Sequence, residues 1–251
     1  MATTLLKSLV TTTIPASSGT VDITDVAAFG GETPKFAIIT ATDGSNASGN
    51  ISNHCRTSYG AIGANGQGMS AIAVENNQAT TKTSQQSSIF TCYAILDSNP
   101  DGILAEGSAA LIADGIRITP VTFSTSVVLH VMLVGGTQII ESDIYLKNFN
   151  GLASPQTIPT SYKPDALITW GGGSTNGAAI DTNAVLSTGY ATRWDGRNKS
   201  AGFSSRDGQS ATQSQDSSQS NNCINILAAS SAAHAFLGAA SNYTDTGFDL
   251  T

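Results

Sequence analysis

The chain has 251 residues, a net charge of −7 and only 12% charged residues, with 25 glycines and much of the remainder Ser, Thr, Ala and Asn. Eleven Lys and Arg residues scattered singly make no basic stripe to neutralise phosphates or anionic lipids, which argues against nucleic acid and membrane surfaces as partners. Scarce Glu, Lys, Arg and Leu disfavour long helices, and the length suffices for two modest domains.

Along the chain, the start Met1-Ala2-Thr3-Thr4 lacks the basic region and apolar run of a signal peptide. The first strand-like run is Lys35 to Thr40, after Pro34, a short apolar stretch bounded by turn residues. Small-residue segments follow at Gly60-Ala61 and Ser70-Ala71, then the polar tract Thr80 to Ser88, which suits exposed strand or loop. Cys92 to Leu96 is apolar. Asp97-Ser98-Asn99-Pro100-Asp101-Gly102 has the opening of a calcium loop, but its twelfth position is Ser108 where a bidentate Glu is needed. Ordinary turn chemistry is the better reading there. In Gly115 to Thr119 apolar residues alternate with polar ones, the period of a half-buried strand. Phe123 to Gly135 is the longest apolar stretch and ends on Gly135-Gly136; its apolar run Val127 to Val134 is too short to span a bilayer. Asn148 to Gly151 and Pro155 mark a boundary.

Beyond it the pattern recurs. Ala166-Leu167-Ile168-Thr169 repeats Ala37-Ile38-Ile39-Thr40 at an offset of 129 residues. Gly189 to Ala191 corresponds to Gly60-Ala61, and Ser200-Ala201 to Ser70-Ala71. Cys223 to Leu227 repeats Cys92 to Leu96 at an offset of 131, and Gly247 to Thr251 repeats Gly115 to Thr119 at 132. Register kept so long points to internal duplication. The fold class expected is all-β, with two tandem β-sandwich or jelly-roll-like domains, one over 1–147 with the N-terminal segment and one over 148–251. Ala228 to Ala240 fits a helix or a strand about equally. The second copy ends where the first continues through Pro120 to Leu146, so it lacks a final strand. Thr4 to Ile14, or a partner chain, is expected to complete its sheet beside Phe248.

No catalytic, cofactor or metal site is expected. His54, His130 and His234 are far apart, and His130 lies in an apolar strand as a hydrogen-bonded core or face histidine. Gly171 to Gly177 lacks the Lys-Ser/Thr of a phosphate loop. Gly68-Met69-Ser70-Ala71-Ile72 lacks the last Gly of a nucleophile elbow. The cysteines Cys55, Cys92 and Cys223 read as small buried hydrophobes. Asp43, Asp181, Asp195 and Asp207 read as solvated loop acids, and Trp170 as the close of a core strand. Trp194, with Arg193 and Asp195 in Arg193-Trp194-Asp195-Gly196-Arg197, is the expected ligand or partner contact.

The residues Pro164 to Ile168, Ser187 to Ala191, Ser204 to Ser220, Cys223 to Leu227 and Thr246 to Leu250, with Val128 to Thr137 in the first copy only, follow a pattern that resembles tandem-repeat β proteins of tailed bacteriophages. Ser58 to Ala61 matches that pattern loosely, and Asp114 to Ile118 stands at the matching place in the first copy. The resemblance implies a non-enzymatic virion component, a tail, fibre or capsid-decoration part assembled in the host cytoplasm. Its expected partners are copies of itself, a trimer first, and other virion proteins. A carbohydrate-binding or host-receptor-binding module, with a host-surface glycan as ligand, is the alternative.

Overall fold

A computed structural model describes residues 4–43, 54–75, 78–98, 101–145, 155–173, 180–211, 213–228 and 233–251. The all-β class holds: these residues form nineteen strands and one four-residue helix.

The first half contains β1 (Leu6–Ile14), β2 (Val21–Thr24), α1 (Val26–Phe29), β3 (Phe36–Thr42), β4 (Cys55–Gly63), β5 (Gly66–Glu75), β6 (Lys82–Ser88), β7 (Tyr93–Ser98), β8 (Asp101–Ile112), β9 (Gly115–Phe123) and β10 (Val127–Gly135). Six strands make one sheet in the order β1-β10-β3-β4-β5-β6, and four make a second in the order β2-β9-β8-β7. All pairings are antiparallel. Residues alternate across each pleat, so one face of each sheet is apolar. Ala37, Ile39 and Ala41 of β3 and Leu129, Val131 and Leu133 of β10 meet Ile23, Ile116 and Ile118 of the facing sheet in one closed core. The helix α1 was not expected from the sequence. Asp25 caps its first turn and Gly30 ends it at φ 59°, while Phe29 plugs the core.

The second half contains β11 (Gln156–Pro159), β12 (Ala166–Gly171), β13 (Ala184–Thr192), β14 (Asn198–Ser205), β15 (Ser214–Gln219), β16 (Ile224–Leu227), β17 (His234–Gly238), β18 (Ala240–Thr244) and β19 (Gly247–Leu250). The order β12-β13-β14-β15 follows that of β3-β4-β5-β6, and β11 lies beside β19 as β2 lies beside β9. The stretch read as helix or strand is strand over β17 and at the start of β18; residues 229–232 lie outside those described.

Matching residues of the halves make matching contacts. The Ala94 amide donates to Ser58 Oγ at 3.2 Å, and the Asn225 amide to Ser187 Oγ at 2.9 Å. The Cys92 amide donates to the Gly107 carbonyl and the Cys223 amide to the Gly238 carbonyl, both at 2.8 Å. Gly60 and Gly189 let the Cys92 and Cys223 carbonyls approach so closely that any side chain would collide with them.

These contacts correct the sequence match in two strands. Gly60 pairs with Ile39, whereas Gly189 pairs with Thr169. The counterpart of Ile39 is therefore Thr169, not Ile168. Likewise Gly60 pairs with Met69 and Gly189 with Ser200, so Ser200 answers to Met69 rather than Ser70. A one-residue slip moves a side chain to the other face of the sheet.

The expected completion of the second sheet is also corrected. β1 pairs with β10 in the first half, and β19, which carries Phe248, already lies between β11 and β18. In the first half the final strand β10 covers the edge of β3. In the second half β12 has a strand neighbour only in β13 among the described residues.

The halves meet across the outer face and edge of β5 and β6. Ile72, with Tyr59 and Val74 beside it, packs on Ala184, Leu186 and Phe203. Gln85 exchanges two backbone hydrogen bonds with Asp181, and its side-chain oxygen accepts the Gly173 and Val185 amides at 3.0 and 3.1 Å. The Thr83 amide donates to Asp207 and its hydroxyl to the Thr182 carbonyl.

Candidate functional site

The outer face of β12 and β13 is the most distinctive surface of the second half. Leu167 points inward to the core, and the Thr169 hydroxyl donates to the Cys223 carbonyl. Alternation then turns Ala166, Ile168 and Trp170 outward. Ile168 pairs with Tyr190, which pairs with Lys199, so the three form one row across the sheet. Ile168 is 54% exposed and Tyr190 46%. Trp170 is half-buried at the end of β12, on the opposite face from Leu167 and Thr169. It does not close a core strand, because the register sends it outward.

At one end of this sheet lies the turn between β13 and β14. Trp194 is 66% exposed there. The other two residues expected beside it have local partners. Arg193 hydrogen-bonds and ion-pairs with Asp165. Asp195 accepts the Thr192 hydroxyl and the Arg197 amide, and pairs with the Arg197 guanidinium at 3.0 Å. The Thr192 hydroxyl bond leads the causes that hold the Asp195 carboxyl below the usual carboxylate range. Gly196 closes the turn at φ 64°. Arg193 and Asp195 therefore hold the turn in shape, and Trp194 is its free contact surface. Beside it Gly196 to Lys199 and Ser220-Asn221 line a shallow polar depression of about 510 Å³.

A second cluster was missed in the sequence. Arg56 of β4 bonds Glu75 at 2.6 Å, Asp43 at 3.1 Å and Asp97 at 3.2 Å. His54 Nδ1 lies 2.5 Å from Glu75 Oε2. Burial opposes the Arg56 charge, but the hydrogen bonds it donates to Glu75 and Asp43 outweigh that and hold the proton more tightly than usual. The cluster joins β3, β4, β5 and β7 at one end of the sandwich. Asp43 is accordingly a packed ion-pair partner rather than a solvated loop acid, and Asp207 is engaged too, accepting the Thr83 amide. Residues this far apart in sequence leave no local motif, so no sequence signal could have found the cluster.

The remaining candidates fall apart in space or into local roles. His130 stands exposed on β10, bonded to Thr11 at 2.9 Å, and His234 bonds Asn225 at 2.9 Å. Of the calcium-like segment, Asp97 bonds Arg56 and pairs across a hairpin with Gly102, while Asn99 and Pro100 lie outside the described residues. The Gly-rich segment is described only to Gly173. Among the described residues no three His, Cys, Asp or Glu side chains gather as a metal set. No helix of these residues is long and apolar enough to cross a membrane. Cys92 and Cys223 are buried, but Cys55 is exposed, which corrects the reading of all three thiols as core.

Compared with protein-family models, with curated proteins and with solved structures, the chain matches none.

Proposed function

We propose that this protein is a non-enzymatic structural component of a virion, of the kind tailed bacteriophages carry in a tail, a fibre or a capsid surface. On this reading it descends from a duplicated, jelly-roll-like sandwich unit over 1–147 and 148–251. It assembles through its β domains, with copies of itself, a trimer first, and with other virion proteins. The observation that supports it best is the pair of features on β12: an outward row of Ile168 and Tyr190 beside Trp170, on a strand paired on one side only among the described residues. Exposed apolar sheet faces beside open edges are surfaces that other chains cover. Light scattering coupled to size exclusion tests the reading. A closed assembly of defined mass that Tyr190→Glu dissociates supports it; a monomer at all concentrations removes self-assembly from it.

A carbohydrate-binding or host-receptor-binding module is the second reading, favoured by Trp194 at the turn beside a polar depression. Sugars stack apolar faces on aromatic rings and hydrogen-bond to the polar groups around them. A glycan array probed with the intact protein and with Trp194→Ala tests it, and signals equal for both proteins would remove Trp194 from the reading.

A further inference from the structure

The turn between β13 and β14 gathers positive charge in a chain whose net charge is −7. Arg193, Arg197 and Lys199 stand there within seven residues of sequence. Arg193 pairs with Asp165, and Asp195 engages only Nε of Arg197, at 3.0 Å. The Arg197 side chain is 68% exposed, so its two terminal nitrogens keep their donors for a ligand. Lys199 forms no ion pair among the described residues. Three cations against two carboxylates leave this end of the sheet one positive charge in excess. Arg197 and Lys199 line the same depression, with Gly196, Asn198, Ser220 and Asn221. Its floor is fixed. Asn198 is 8% exposed; its side chain accepts the Ala240 amide at 2.8 Å and donates to the Ala240 and Gly196 carbonyls, both at 3.3 Å. Ser220 and Asn221 are exposed. Lys199 is also the strand partner of Tyr190, the exposed aromatic of the outward row.

We propose that this depression binds a saccharide bearing a carboxylate, of the uronic-acid or sialic-acid class. The carboxylate lies between the terminal nitrogens of Arg197 and the Lys199 ammonium. The planar guanidinium matches a carboxylate, and bonds between charged partners are the strong ones. The Ser220 hydroxyl and the Asn221 amide exchange hydrogen bonds with the sugar hydroxyls. The Tyr190 ring takes the apolar face of the sugar, as aromatic surfaces with a polar tip do. A volume of about 510 Å³ is that of a small-molecule site. The alternatives use less of this surface. A bare phosphate would take the two cations and leave Tyr190 and Asn221 idle. A nucleic acid neutralises several phosphates at once, and one excess charge is too few. A neutral sugar would leave Lys199 without a partner. The proposal rests on the carbohydrate-binding reading above and narrows it to acidic sugars.

The probes are trigalacturonic acid and sialyllactose, each beside its methyl ester, which keeps the shape and removes the charge. Saturation-transfer NMR on the intact protein detects binding, and titration gives the affinity. The expected result is that at least one acid binds, and its methyl ester at least about tenfold more weakly, the loss of one charge-assisted contact. Lys199→Gln lowers affinity for the acid by a similar factor. Lys199→Arg keeps it, which separates a lost charge from a disturbed fold. Lys7→Gln, exposed on β1 in the other half, binds as the parent does. An ester that binds as tightly as its acid overturns the proposal and leaves the carbohydrate-binding reading standing. Unchanged affinity in Lys199→Gln overturns it too, as does displacement of the acid by an equal concentration of inorganic phosphate, which marks a bare anion site. Binding of neither acid nor ester overturns this proposal and the carbohydrate-binding reading together.

Discussion

Single atoms decide several features of this fold. At Gly60 and Gly189 a Cβ has no room beside the carbonyl of the facing cysteine. Gly60→Ala is expected to lower stability by about 2–3 kcal/mol, the usual cost of an overpacked core, and Gly189→Ala to do the same to the second half. Denaturant unfolding checks both. The thiols give a second readout. Burial raises the Cys92 thiol well above its ordinary range and pushes that of Cys223 up to about 11. A thiol reagent is expected to label only Cys55 in the folded protein, and slowly, since desolvation and then Asp43 raise its pKa too. Mass spectrometry of the labelled protein reports the sites, and native labelling of Cys92 would contradict the packing. The slip at Ile168 also belongs to this scale. A four-residue identity aligned Ile168 with the buried Ile39, yet it is the neighbour of Ile168 that takes the inward place. Hydrophobicity is the same on either face of a strand, so only the pairing partner, here Gly189, reveals which residue points in.

At the scale of elements, acid tests the turns and caps. Asp25 is held below the usual carboxylate range by the Ser8 hydroxyl and then the Ala28 amide at the start of α1. Asp22 is held down by its bond to Arg117 between β2 and β9, and Asp249 by Asn242 and Thr157. A depressed carboxyl contributes stability in full above its unfolded value, near pH 4, and loses it as pH falls through its folded value. Burial raises Glu106, whose contribution runs in the opposite sense. The urea midpoint is therefore expected to stay level down to about pH 5 and to fall below pH 4, with Asp25→Asn blunting the fall. A midpoint insensitive to acid would show that these bonds are not held in solution. Most strands were legible in the sequence, because alternation and turn residues are local signals: β9, β10, β16 and β19 stand where the pattern put them. The order of strands in the first sheet was not. It depends on which strand β10 joins, a pairing across some ninety residues that no local pattern encodes. The Arg56 cluster escaped for the same reason. Trp194 was legible as exposed from its Asp-Gly turn, whereas the structural roles of Arg193 and Asp195 were not, since Asp165 lies on a different strand entrance.

For the whole molecule, the joint between the halves governs cooperativity. Gln85 is 4% exposed and satisfies two amides of the second half with one oxygen. Gln85→Ala leaves those amides without that acceptor, at a cost of about 1–3 kcal/mol. Calorimetry is expected to show a single transition in the parent protein and a separated, earlier one for the second half in the variant. A single transition merely shifted downward would mean that the apolar contacts of Ile72 with Ala184 and Leu186 suffice to couple the halves.

The strand at that joint has a consequence for synthesis. A growing chain emerges from the ribosome N-terminus first, so the first half is complete while the second is still being made. Throughout that interval β6 has one edge and much of one face waiting for a neighbour. Its side chains are Lys, Thr, Ser and Gln, not Val and Leu. Water satisfies them as well as Asp181, Thr182 and Asp207 later do, so the edge of β6 offers no sticky strip to other nascent chains, and the apolar part of the joint is confined to Ile72, Tyr59 and Val74. A hydrophobic β6 would hold the finished molecule more firmly but leave its unfinished form prone to clump; this edge is built to be patient.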